Sequence, residues 1–155
     1  LQQLEIFAGV LINNKDIDLV YSECFMTEKA NETYKDNSSD GKVYPISPFT
    51  PEDMIKCLPG CMPLWRKSMH DKCGLFNDKF KYAGDWELWL RAVRAGSKFK
   101  IVDGVHGLYY NNPVGLSTDN TRFKEKFEEE KEIFFEYKDI FGNKNFEQFK
   151  GYFSQ

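Results

Sequence analysis

The sequence predicts an α/β domain, a mixed sheet flanked by helices with a long helix at the C-terminal end. Two runs rich in β-branched and aromatic residues, 17–25 (IDLVYSECF) and 98–102 (KFKIV), read as strands. Between them lies a segment, 85–95 (DWELWLRAVRA), in which every helix signal agrees. Beyond them Phe123, Phe127, Phe134, Tyr137 and Phe141 recur at helical spacing. The 155 residues suit one domain, and 41% hydrophobic with 16% aromatic residues can furnish a core.

The elements follow in order. Leu1, Leu4, Ala8 and Leu11 share one helical face, and the polar run Asn13-Asn14-Lys15-Asp16 ends that helix. After the strand at 17–25 comes a polar stretch, 27–42, whose turn cluster Asn37-Ser38-Ser39-Asp40-Gly41 predicts a hairpin tip or loop. Thr50-Pro51-Glu52-Asp53 has the order of a helix start, and Pro59-Gly60 stops that short helix. Residues 62–66 read as extended, and 68–74 as a capped turn ending at Gly74. In the helix at 85–95, Asp85 leads, Glu87 and Arg91 are spaced for an i,i+4 pair, and Gly96 follows as the stop. Extended structure at 98–102 resumes at 105–110 before the Asn111-Asn112-Pro113 turn. A helix over 121–141 closes the pattern, with Gly142 as its stop and Glu128-Glu129-Glu130 on a solvated face.

With 21 Lys+Arg against 24 Asp+Glu the net charge is −3, and no basic run is present, which argues against a nucleic-acid or anionic-membrane partner. The longest apolar stretch, 7–12, is far short of the roughly 20 residues that cross a bilayer. Cys24, Cys57, Cys61 and Cys73 read as reduced, buried thiols. A zinc module on Cys57, Cys61, Cys73 and His70 is a weak alternative, because Cys-x3-Cys is not a finger or ribbon spacing.

Three stretches taken together carry a resemblance. They are Gly60-Cys61-Met62-Pro63-Leu64-Trp65-Arg66-Lys67-Ser68, Cys73-Gly74-Leu75-Phe76-Asn77-Asp78-Lys79-Phe80, and Gly84-Asp85-Trp86-Glu87-Leu88-Trp89-Leu90-Arg91 followed by Gly96 and Lys98-Phe99. They resemble, in order and spacing, the second half of a family 2 glycosyltransferase domain, and the segment from Tyr109 to Thr118 resembles the one that often follows. The resemblance implies a partial GT-A, nucleotide-diphospho-sugar transferase-like fold. Residues 1–120 would be its acceptor-side half, and 121–155 a helical extension packed on it. The usual Glu-Asp pair is here Gly84-Asp85, and the arginine usual after the tyrosine is Asn111. No Asp-x-Asp motif precedes Leu1, so the chain reads as a piece cut just after the metal site.

The activity implied is inverting transfer of a sugar from a nucleotide-diphosphate donor to a glycan, lipid-linked or protein acceptor. Such a reaction needs a base for the acceptor hydroxyl and a cation, Mn or Mg, for the departing diphosphate. Asp85 is the implied base; the bland reading of an Asp there is a helix cap. Trp86, Trp65, Met62 and Gly60 are implied substrate-binding residues, with core packing as the alternative for Trp86, Trp65 and Met62. His106 is a candidate metal or phosphate ligand, and Ser117 and Thr118 candidate lid residues over the donor phosphates. Alone, the chain is expected to transfer no sugar and bind no cation, and a truncated sheet would favour self-association. The expected location is cytoplasmic, at the cytoplasmic face of a membrane in the full-length protein. The alternative is a non-catalytic remnant or interaction module that keeps the fold.

Overall fold

A computed structural model describes residues 2–116 and 118–154. Its centre is strand β1 (Leu19–Thr27), in which Leu19, Val20, Tyr21, Ser22 and Cys24 are all fully buried. Both faces of β1 are therefore covered over its first half, where the consecutive residues Leu19 to Ser22 are all buried rather than alternating in and out. One edge of β1 pairs antiparallel with two short strands, β2 (Val43–Tyr44) through Cys24↔Tyr44 and β3 (Leu64–Trp65) through Leu19↔Trp65. The other edge pairs in parallel with β4 (Phe99–Tyr110), from Leu19↔Phe99 to Thr27↔Tyr110. The sheet is mixed, as the sequence predicts. The two extended runs at 98–102 and 105–110 join into the single strand β4, because register shifts opposite residues 21–25 absorb the intervening Asp103-Gly104.

Helix α1 (Gln2–Asn13) lays Phe7 and Leu11 on Val20 and Val102, a small cluster separate from the main core. The main core lies around α3 (Gly84–Arg94), whose Trp86, Leu88, Trp89, Leu90 and Ala92 are buried. Before it stands the short α2 (Met69–Cys73). Glu87 is buried too; it accepts from Arg91 Nε and Nη2 at 2.9 and 2.8 Å and from the Tyr137 hydroxyl at 2.7 Å. The i,i+4 pair anticipated from spacing is thus part of a buried network.

The C-terminal region departs from one continuous helix. A 3-10 turn (Asn120–Arg122) leads into α4 (Phe123–Glu136), Tyr137 leaves helical geometry, and α5 (Lys138–Phe153) is kinked at Gly142. Gly142 has φ 67° and ψ 155°, outside helical geometry and in a region where a side chain is strained, so glycine ends one helical stretch there, as its position in the sequence predicts, and a second stretch runs on from it. The kink folds the aromatic stripe onto itself: Phe134 stacks on Phe141, Phe146 and Phe153 with centroids 5.6, 5.0 and 4.5 Å apart. Phe123, counted in the stripe, is exposed. Residues 133–153 therefore complete the same core that α3 begins. The helix expected after Thr50 is a 3-10 turn (Glu52–Lys56), started by the Thr50 hydroxyl accepting the Asp53 N–H at 3.1 Å and ended by Cys57 at φ 53°. The polar stretch 28–42 is the connection of the β1–β2 hairpin.

Candidate functional site

Asp85 lies in the first turn of α3, at the mouth of a cavity of about 250 Å³. Its helix is not capped by Asp85. The capping position is Ala83, and Asp85 Oδ1 accepts only the N–H of the next residue, Trp86, at 2.8 Å. The turn that leads into the helix is held by another element. The Glu129 carboxylate of α4 accepts the backbone N–H groups of Lys81, Tyr82 and Ala83 at 2.8, 2.7 and 3.0 Å. A negative group held by converging N–H donors at a helix entrance is favourable on both hydrogen-bond and dipole grounds. Glu129 thus fixes the turn that presents Asp85; Glu128 is exposed as expected of a solvated face, whereas Glu129 and Glu130 are half-buried.

Glu130, next in sequence, lines the cavity with Lys126, 3.7 Å away. Burial pushes the Glu130 carboxyl above its usual range, and the adjacent Lys126 offsets this only in part. Two carboxyl groups from different helices, Asp85 and Glu130, therefore face one space. Tyr44, Tyr82, Trp86 and Tyr109 form its aromatic surfaces, and Cys57, Gly60 and Cys61 a third side. Burial also raises Tyr44 and Tyr109, so both phenols keep their protons and can donate. Their rings are tilted against each other with centroids 5.6 Å apart.

The topology accounts for this position. Cys24, Tyr44 and Tyr109 belong to the half of the sheet that includes the C-terminal ends of the parallel strands β1 and β4, where open α/β sheets take their ligands. Gly60 has φ 71°, and a Cβ there would come within 2.9 Å of Ile46 Cδ1, so glycine permits the turn that carries Cys61 to the cavity.

Of the residues singled out from sequence, Asp85, Trp86 and Gly60 meet at this cavity. Trp86 is mainly a core residue; its Nε1 donates to Met54 O at 2.6 Å, its ring stacks on Phe141, and only an edge reaches the cavity. Trp65 and Met62 do not line it. The Trp65 indole donates to His70 Nε2 at 3.0 Å and packs edge-on against Trp89, while Met62 lies against Gly107 and accepts from Gln3 Nε2 at 3.7 Å. His106 stands at a different cavity of about 570 Å³ beside α1, with Gln3, Ile6 and Tyr34, its Nε2 2.8 Å from Asp103 O. Thr118 Oγ1 donates within its own turn, to Asn112 O and Gly115 O. Ser117 lies outside the described residues. Cys73 donates to Met69 O and His70 accepts from Trp65, so neither joins Cys57 and Cys61. Among the described residues no three His, Cys, Asp or Glu side chains are grouped to hold a metal ion. None of their helices is long and apolar enough to cross a membrane.

Sequence reasoning missed Lys126, Glu129 and Glu130. Their acid-rich helix looks solvated until the fold sets Glu129 against the turn at 81–83 and Glu130 beside the cavity, and nothing local in the sequence signals that contact. A comparison of the chain with family models, with curated proteins and with solved structures finds no match.

Proposed function

We propose that this chain binds a sugar hydroxyl acceptor and supplies the base for its glycosylation, as the acceptor side of an inverting, family 2-like glycosyltransferase domain. The observation that carries the reading is the cavity itself: an exposed carboxylate at a helix entrance, opening onto a ring-sized space walled by three tyrosines and a tryptophan edge. Aromatic faces suit the apolar faces of a pyranose, and phenolic and carboxyl groups suit its hydroxyls. At about 250 Å³ the space falls below the roughly 300–1,000 Å³ of sites that enclose drug-sized ligands, so it takes one ring rather than a chain of them. The motif order around Gly60, Asp85 and Tyr109 supports the same reading.

In the proposed reaction Asp85 removes the proton of the acceptor hydroxyl as that oxygen attacks the donor's anomeric carbon. Glu130 accepts hydrogen bonds from the ring's hydroxyls, and the two tyrosines, whose phenols burial keeps protonated, donate hydrogen bonds that orient the ring. Glu130 also supplies a second carboxyl to the cavity that Asp85 lines. The donor's diphosphate and its Mn or Mg ion are left to residues outside this cavity. The competing reading, a remnant that keeps the fold without turnover, shares the cavity and predicts binding only.

Saturation-transfer NMR with neutral methyl pyranosides tests the binding half of the proposal. Transfer to the pyranosides that is lost in Tyr109→Ala, with little transfer to nucleoside diphosphates, is the expected result. Equal transfer in wild type and variant, or none in either, would contradict it.

A further inference from the structure

One wall of the cavity carries chemistry that sugar binding does not use. Cys24 of β1 and Cys61, 37 positions apart in sequence, place their sulfurs 3.2 Å from each other. Both are free thiols; Cys24 is fully buried, whereas Cys61 is half-buried and lines the cavity. We infer that Cys24 and Cys61 form a peroxide-reactive dithiol, with Cys61 as the attacking sulfur and Cys24 as the resolving one.

The roles follow from the surroundings. Cys61 is the sulfur that the cavity exposes while Cys24 is fully buried behind it, and the contact between the two sulfurs draws Cys61 below the usual thiol range and Cys24 above it. A thiol that is accessible, more acidic than its neighbours and adjacent to a second thiol has the features of a reversible redox site. The other two cysteines lack them. Burial raises Cys57, with the carboxylates of Asp85 and Glu130 adding to the effect, and Cys73 is buried with its thiol donating to Met69 O.

The chemistry balances in two steps. The Cys61 thiolate attacks a hydroperoxide oxygen, the O–O bond breaks, and the departing alkoxide or hydroxide takes up a proton, leaving Cys61 as a sulfenic acid. Cys24 sulfur then attacks the Cys61 sulfur and expels hydroxide, which leaves as water with the Cys24 proton. Two thiols have lost two electrons to the hydroperoxide, and one S–S bond has formed. The remaining approach is about 1 Å, from the present contact to a bond of about 2.05 Å. The bond ties the Gly60–Cys61 wall of the cavity to the central strand.

The test is treatment of the whole chain with hydrogen peroxide, followed by non-reducing peptide mapping. The expected product is a Cys24–Cys61 cross-linked peptide pair two hydrogens lighter than the separate peptides, with two of the four thiols consumed and dithiothreitol restoring both. The wild-type map needs no variant that must fold. In Cys24→Ala, Cys61 should instead accumulate as a sulfenic acid that a 1,3-dicarbonyl reagent captures. Preferential oxidation of Cys57 or Cys73, disulfides formed only between chains, or a Cys61 no more reactive than Cys73 would overturn the assignment. Because the readout is thiol chemistry, it stands or falls independently of sugar binding.

Discussion

Replacing Glu129 by alanine tests whether the cavity is organised from α4. The substitution removes one carboxylate and strands three backbone donors, the N–H groups of Lys81, Tyr82 and Ala83. Hydrogen bonds to charged groups contribute about 1.5–3 kcal/mol each when a partner is deleted. Water can reach the donor of exposed Lys81, and Tyr82 is half-buried, so the full sum does not apply. A loss of about 2–4 kcal/mol is the expected outcome, about half that for Glu129→Gln, which keeps one acceptor oxygen. Exposed Glu128→Ala, on the same helix, should stay within about 0.5 kcal/mol of wild type. Urea unfolding followed by tryptophan fluorescence gives all three values. At about 2–4 °C per kcal/mol for a domain of this size, melting temperatures should repeat the ranking. Equal effects of Glu128→Ala and Glu129→Ala would refute the anchoring role of Glu129 and, with it, the account of how Asp85 is presented.

Other substitutions probe the surrounding structure. Burial acts to raise the Glu87 carboxyl, but its bonds from Arg91 and Tyr137 outweigh this and hold it below the usual range, so its stabilisation is present above the unfolded carboxyl pKa near about 4.3 and is lost as pH falls through the lower folded value. Tyr137→Phe should therefore cost about 1–2 kcal/mol at pH 7 and less at pH 3; a gap that does not narrow on acidification would count against the network. Gly60→Ala should lower stability by about 1–2 kcal/mol because of its left-handed backbone, whereas Gly151→Ala, on α5 with open space around it, should be neutral or stabilising by thermal melting.

Legibility from sequence followed the range of the forces involved. Helix α3 announced itself because its acid, its apolar spacing, its basic last turn and Gly96 are all local signals. The strand content of 17–25 was equally plain, although the two-sided burial of β1 was not, since it depends on partners as distant as Phe99. Gly142 was legible as a helix stop, but the second helical stretch beyond it was not, since it is held by the packing of Phe134 on Phe146 and Phe153. At the site, Asp85, Trp86 and Gly60 were found through motif order. Glu129 and Glu130 escaped because a glutamate 44 or 45 positions from Asp85 has no local signature of contact. Trp65 and Met62 were drawn toward the site by proximity to Gly60 in sequence, but the extended β3 carries Trp65 onto Trp89 instead.

The central claim, that Asp85 is the base of a sugar transfer, is tested most directly by Asp85→Asn in the gene product that carries this chain, assayed for transfer of labelled sugar from nucleotide-diphosphate donors to glycan acceptors. Asn keeps the size of Asp and one oxygen for the Trp86 N–H, and Asp85 caps nothing else, so melting temperature and pyranoside binding should barely change. Turnover should fall by about 10²–10⁴-fold, the range that a positioned base contributes. Transfer by Asp85→Asn at the wild-type rate would contradict the account and remove this carboxylate from the chemistry.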